Sequence, residues 1–216
     1  MTHALIHGHA EFRARYFQER EFLGRLAKKQ EPGTLFIGCS DSRVVPELLT
    51  GAQPGELFVV RNVANFVPRA EHHDRSVGAA VEYAVDVLRV RDVVVCGHSG
   101  CGGVKAALGK LEGLPPEGEL HGWLTGVVPA AEQARARGLS GDALWRAAVE
   151  ENVLDALANL ISFPCVARAL DEGRLNLHGW VYELATGAVQ VWDETADAFV
   201  DALALSPRDG RTSVLT

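Results

Sequence analysis

A thiol, a carboxylate and a guanidinium stand at alternate positions in Cys39-Ser-Asp41-Ser-Arg43, and an imidazole and a second thiol bracket two small residues in His98-Ser-Gly-Cys101-Gly-Gly103. Thiolate and imidazole are ligands that zinc prefers, in sets of four where the metal is structural and of three plus solvent where it is catalytic. Two Cys and one His therefore suggest a Cys2His zinc site with one position to spare. Zinc thiolates need deprotonated sulfur, and Cys101, followed by glycines and a helix-like run, has its thiolate favoured by nearby amides and the helix dipole. Zinc lowers the pKa of bound water from about 15.7 toward roughly 7, giving hydroxide near neutrality. Two thiolates cancel the metal's formal charge and blunt that effect, so a neighbouring hydrogen-bond acceptor matters more. Asp41, kept ionised by Arg43, is the natural acceptor and would orient the hydroxide. The same carboxylate can instead swing in as fourth ligand and close the site; spacing leaves both arrangements open.

The elements that must position these groups are legible as short apolar runs. Leu35 to Ile37 reads as a buried strand stopping at Gly38, and Val93 to Cys96 as another. In extended backbone residues i, i+2 and i+4 point the same way, so Cys39, Asp41 and Arg43 are expected to share a face. With both strands parallel, Cys39 and His98 emerge at the sheet edge where open α/β folds bind ligands. Leu57 to Val60 reads as a further strand, and 175–184 with 189–192, split by Thr186-Gly187, as a hairpin. Helices are expected from Pro46 to Leu49, from a Ser76 cap to about Leu88, after Cys101, over 119–136 and 141–161, and from Pro164 to near Gly173. Residues 61–65 and 71–75 read as loops. An amphipathic helix over 10–29 carries Phe12, Tyr16, Leu23 and Leu26 and must pack on the domain or on a second copy. The order predicts α/β: a mostly parallel central sheet with flanking helices, an antiparallel hairpin at the C-terminal end and an extended N-terminal helix. A single domain is expected over 1–216, with 1–9 and 207–216 as loose tails.

Charge and composition narrow the function classes. A formal charge of −7 over 216 residues argues against a nucleic-acid partner, and no polybasic run opposes that. No secretion-signal h-region and no long apolar run are present, so no membrane partner and a cytoplasmic setting are expected. Four cysteines are too few for a disulfide scaffold and read as ligands or buried thiols.

Taken together and in order, Cys39-Ser-Asp-Ser-Arg43, Arg61-Asn-Val-Ala-Asn65 and His98-Ser-Gly-Cys101-Gly-Gly103 resemble the β-class carbonic anhydrases, over about residues 10 to 193. The resemblance implies one Zn2+ per chain held by Cys39, His98 and Cys101, with Asp41 and Arg43 as the catalytic pair. It implies reversible hydration of carbon dioxide to bicarbonate, and a homodimer or larger assembly embraced by the N-terminal helix. The sequence is similar to the family's plant-like branch in its substrate pocket. There Gln30 and the Gly102 amide would hydrogen-bond a substrate oxygen, Val63 falls at a pocket position, and Phe58 and Tyr83 would wall the pocket from the partner chain. Another branch carries an inhibitory bicarbonate site of tryptophan, arginine and tyrosine. Arg61 and Tyr182 match it, but Phe36 replaces the tryptophan, so little bicarbonate inhibition and an open centre at neutral pH are expected.

Two rival readings are separable by assay: hydrolysis of carbon disulfide or carbonyl sulfide at the same centre, and a structural zinc module with a permanent fourth ligand such as Cys96 or a fixed Asp41. Cys96 and Cys165 are placed as core thiols. His3, His7, His9, His72, His73, His121 and His178 are read as solvated or structural, with a proton relay weighed for His72 and His73.

Overall fold

Strands form where the chain is apolar on both sides of its pleat. β1 (Thr34–Cys39) is buried from Leu35 onward. β2 (Leu57–Asn62) is half-exposed along most of its length, whereas β3 (Asp92–His98) is buried from Val93 onward. β4 (Asn176–Tyr182), β5 (Val189–Asp193) and β6 (Ala198–Asp201) complete one sheet in the order β2-β1-β3-β4-β5-β6. The first four neighbours in that order run parallel, and β5 and β6 are antiparallel. This computed structural model describes residues 2–16, 24 and 26–204, and the chain divides into two units, Met1–Glu31 and Pro32–Thr216, the second of which carries the sheet.

The first unit contains α1 (Thr2–Tyr16), on which Leu5, Ile6 and Phe12 are exposed. Residues 2–9, part of the 1–9 stretch expected as a loose tail, are helical. Leu23, and the tail 207–216, lie outside the described residues.

In the second unit, α2 (Pro46–Thr50) has its proline in the first turn, and α3 (Arg75–Glu82) runs on into a π-helical turn at Tyr83–Val87. α4 (Gly102–Leu108), α5 (Glu119–Thr125), α6 (Val128–Ala136), α7 (Gly141–Ile161) and α8 (Pro164–Asp171) follow. The cap of α3 is Asp74, not Ser76: its carboxylate accepts from the Val77 amide at 2.7 Å. The expected helix over 119–136 is interrupted at Gly126 and Val127, where the Phe66 ring occupies the space beside Gly126 and Pro129 falls in the first turn of α6. Residues 63–65 and 70–72 form 3-10 turns rather than open loops. β6 lies beyond the hairpin that the sequence suggests; its end residues Ala198 and Asp201 are exposed, and only Phe199 and Val200 are partly buried. Among the described residues no single helix is long and apolar enough to cross a membrane.

The sheet's faces are unequally covered. Leu35, Ile37, Val93, Val95, Leu177 and Val181 enter one core with Val81, Val104, Leu124, Val153 and Leu157 from the helices. On the other face Phe36, Val94 and Cys96 cluster with the half-buried Leu49, Leu57, Val59, Trp180 and Tyr182. α7 packs along β3 and β4, and this contact fixes where the carboxyl end of β3 delivers its last residue.

Candidate metal centre

From β1 the chain crosses to β2 on one side, then returns past β1 to form β3 on the other. The carboxyl ends of β1 and β3 therefore flank the point where strand order reverses, the ordinary place for a site in such a sheet. Cys39 is the last residue of β1 and His98 the last of β3. Gly100, with φ at +67°, makes the left-handed turn that brings Cys101 back as the N-cap of α4.

The ligand atoms of Cys39, His98 and Cys101 all lie within 4.8 Å of one another, and the two sulfurs are 4.0 Å apart. Two zinc–sulfur bonds of about 2.3 Å at a tetrahedral angle would place sulfurs about 3.8 Å apart. His98 is fully buried; its Nδ1 lies 2.9 Å from the Ser99 carbonyl, while its Nε2 has no hydrogen-bond partner among the described residues. A carbonyl only accepts, so Nδ1 carries the proton and Nε2 presents a lone pair. The contact between the two sulfurs, in which either can donate, draws the Cys39 pKa down and pushes that of Cys101 up, with burial adding to the second effect. One proton shared between two sulfurs and an orphaned buried imidazole nitrogen fit a divalent cation of the zinc type, which displaces that proton and takes the lone pair.

Asp41 and Arg43 reach the same place by a different route from the one alternation predicts. The strand ends at Cys39 and the chain turns, with the Val44 amide donating to the Asp41 carbonyl at 3.0 Å. Arg43 then meets the Asp41 carboxylate three times: backbone amide to Oδ1 at 3.0 Å, Nε to Oδ1 at 2.9 Å, and a guanidinium NH2 to Oδ2 at 2.7 Å. These bonds hold the Asp41 carboxyl well below the usual carboxylate range. Asp41 Oδ2 stands 3.9 Å from His98 Nε2, too far for a hydrogen bond.

Spacing alone did not reveal the groups that hold this loop and its neighbours. Arg61 donates to the Cys39 carbonyl at 3.0 Å and to the Asp41 carbonyl at 2.7 Å. Trp145 of α7 donates its indole N–H to the Cys101 carbonyl at 3.1 Å. Asn152, buried on the same helix, donates to the Ala64 carbonyl at 2.8 Å, beside Ala64 and Asn65 with φ of +65° and +46°. A polar Asn among the alanines, valines and leucines of that buried face is the one signal that sequence offers.

Of the expected pocket residues, Val63 comes close to the metal turn, since a Cβ placed on Gly103 would meet its Cγ1 at 3.1 Å. A Cβ on Gly102 would meet nothing within 4 Å, so the Cα of that residue borders open space. Phe58 and Tyr83 pack on each other with ring centroids 5.8 Å apart. Phe58 pairs with Leu35, four residues before Cys39, which puts it about 13 Å down the sheet from the chain's own Cys39. Gln30 belongs to the first unit. Cys96 stays outside the ligand cluster: it packs with Phe36 and Val94, and burial, followed by the charge of Cys39, pushes its thiol up to about 12. Cys165 is likewise a buried free thiol, its pKa raised by burial.

The carbonic anhydrase family model matches residues 34–189. A carbonic anhydrase of Pseudomonas aeruginosa is 48% identical over 204 residues, covering 91% of this chain and 90% of its own. The chain belongs to the β-carbonic anhydrase family. The solved β-carbonic anhydrase CcaA agrees with the enzyme at a TM-score of 0.87 and 37% identity, covering 93% of this chain and 91% of its own. One of two tetrameric β-carbonic anhydrases from Sordaria macrospora gives a TM-score of 0.76 at 34% identity, with coverage of 88% and 95%. The similarity takes in both ligand-bearing strand ends and the turn between His98 and Cys101.

Proposed function

We propose that this enzyme binds one Zn2+ per chain through Cys39, His98 and Cys101 and hydrates carbon dioxide reversibly to bicarbonate and a proton. The observation that carries the reading is the buried, unpartnered Nε2 of His98 facing two free thiols within 4.8 Å. When bound, the metal supplies the positive charge that makes water a nucleophile near neutral pH.

The chain's own residues do the rest. Asp41 accepts a hydrogen bond from the attacking solvent molecule and so turns a lone pair toward the substrate carbon. Arg43 keeps Asp41 ionised and aimed, and Arg61 holds the turn that presents it. The Gly102 amide orients a substrate oxygen, and Val63 supplies apolar wall, in the manner of the plant-like branch. Phe58 and Tyr83 wall the pocket of a second copy rather than their own, a reading supported by the distance between Phe58 and its own Cys39. Self-association is also supported by the tetrameric Sordaria macrospora enzymes, and the exposed Leu5, Ile6 and Phe12 of α1 suit such an interface. A reducing, cytoplasmic setting suits two unbridged sulfurs 4.0 Å apart. Phe36 is fully buried edge-on against Trp180, and Arg61 is engaged by backbone carbonyls, which supports weak bicarbonate inhibition.

The test is Asp41→Ala, assayed for zinc by metal analysis and for carbon dioxide hydration by stopped-flow, with carbon disulfide as a second substrate. Retained zinc with most hydration lost is the expected result. Full hydration activity in the variant would remove Asp41 from the mechanism. Turnover of carbon disulfide without hydration of carbon dioxide would replace the substrate.

A further inference from the structure

The turn from His98 to Cys101 is held from behind by side chains that touch no ligand atom. Ser99 is the centre of this support. Its carbonyl accepts the His98 Nδ1 proton at 2.9 Å, and its amide donates to the Tyr182 carbonyl at 2.9 Å. Its hydroxyl donates to Glu183 Oε1 at 2.6 Å and accepts from the Leu184 amide at 3.0 Å. Glu183 Oε2 lies 3.7 Å from Arg146 on α7, and Arg146 is itself fixed by Glu150 at 2.9 Å and by Gln190. The residue before it, Trp145, holds the Cys101 carbonyl. Glycines flank the segment at 97 and 100, so the Ser99 peptide has little intrinsic stiffness of its own.

We propose that Ser99 and Glu183 are positioning residues for His98. Together they hold the Ser99 carbonyl where it dictates the imidazole's tautomer and angle, and thereby set how tightly the centre keeps its metal. The proposal rests on the zinc reading above. Partners of a ligating histidine's second nitrogen act in this way elsewhere, and their loss weakens metal binding about 10–100-fold. Here the partner is a backbone carbonyl, so the control passes to whatever fixes that peptide.

The experiment measures zinc affinity by competition with a chromogenic chelator for the native enzyme and for Ser99→Ala, Ser99→Thr, Glu183→Ala and the Ser99→Ala/Glu183→Ala double variant. Circular dichroism of each metal-free protein reports folding. Native protein containing zinc, a loss of about 10–100-fold in each alanine variant and near-native affinity in Ser99→Thr are expected. The double variant should lose less than the two single losses added, because both changes break the Ser99–Glu183 hydrogen bond. Native-like affinity in folded alanine variants, or losses that add in the double variant, would overturn the brace alone. Should Ser99→Ala fail to fold, Glu183→Ala against Ser99→Thr decides by the same criterion. A native protein without zinc would overturn both this proposal and the zinc reading.

Discussion

Replacing Gly97 by alanine would put a methyl group where α7 already lies. An ideal Cβ there stands 2.8 Å from Val153 Cγ2 and 3.0 Å from Val149 Cγ1, with the Val149 carbonyl oxygen at 3.6 Å. Carbon atoms sit comfortably at about 3.5–4.0 Å, so strand and helix must part by roughly 0.7 Å or more. Neither valine can step aside: both are buried, and a β-branched side chain on a helix keeps one strongly preferred rotamer. Overpacking of this kind costs about 1–3 kcal/mol. At about 2–4 °C per kcal/mol for a domain of this size, Tm should fall by about 2–12 °C. The functional effect should be larger in proportion, because Gly97 is bonded to His98 and a displacement of about 1 Å at a reacting centre can cost about 100-fold in rate. Thermal unfolding and stopped-flow hydration measure the two effects on one preparation. Val153→Ala in the same chain removes the atom that the new methyl strikes, so the double variant should lose less than the two single losses added. A Gly97→Ala enzyme that melts within about 1 °C of native and turns over at the native rate would refute the claim that helix packing places His98.

Asn152→Ala should cost about 1–3 kcal/mol, because it leaves the buried Ala64 carbonyl without a donor; denaturant unfolding measures the loss, and an unchanged midpoint would contradict it. Cys101→Ser should yield folded protein that fails to retain zinc, read by metal analysis after gel filtration. Asp92 is drawn below the ordinary carboxylate value chiefly by its hydrogen bond from His178 at 2.9 Å and then by Asn176. A depressed folded-state pKa stabilises the protein above the unfolded value of about 3.9 and loses that contribution as pH falls through the folded one. The stability difference between native and Asp92→Asn enzyme should therefore hold steady above about pH 5 and shrink below about pH 4; a difference that grows on acidification would contradict the assignment.

The strand ends were legible because their chemistry is local. Val93 to Cys96 and Leu35 to Ile37 announce buried parallel strands by composition, and a cysteine or histidine at each end then needs only parallel topology to converge. α7 was legible for the same reason, running from Gly141 to Ile161 as its pattern suggests. The supports were not. Arg61 reaches Cys39 across neighbouring strands, Trp145 reaches Cys101 from a helix more than forty residues on, and Asn152 reaches Ala64 across the core. Such contacts follow from packing, and no periodicity encodes them. The break at Gly126 belongs with them, since the ring that fills its space comes from Phe66, sixty residues earlier.

Alternation placed Asp41 and Arg43 on one face with Cys39, whereas a turn after the strand brings them together, and the difference bears on whether Asp41 closes the site. On a strand, the two side chains would lie side by side with only their ion pair between them. In the turn, Asp41 accepts the Arg43 backbone amide as well as the guanidinium fork, and Arg61 independently fixes the carbonyls of Cys39 and Asp41. Arg43 also reaches the Gly100 carbonyl at 3.5 Å, so the first ligand loop is tied to the second. For Asp41 to become a fourth ligand its Oδ2 must turn from the Arg43 guanidinium while Arg43 still holds Oδ1 and Arg61 restrains the backbone that carries it. The restraint on Asp41 is thus built into the polypeptide around Cys39, and its strength depends on Arg43 and Arg61 together rather than on either alone.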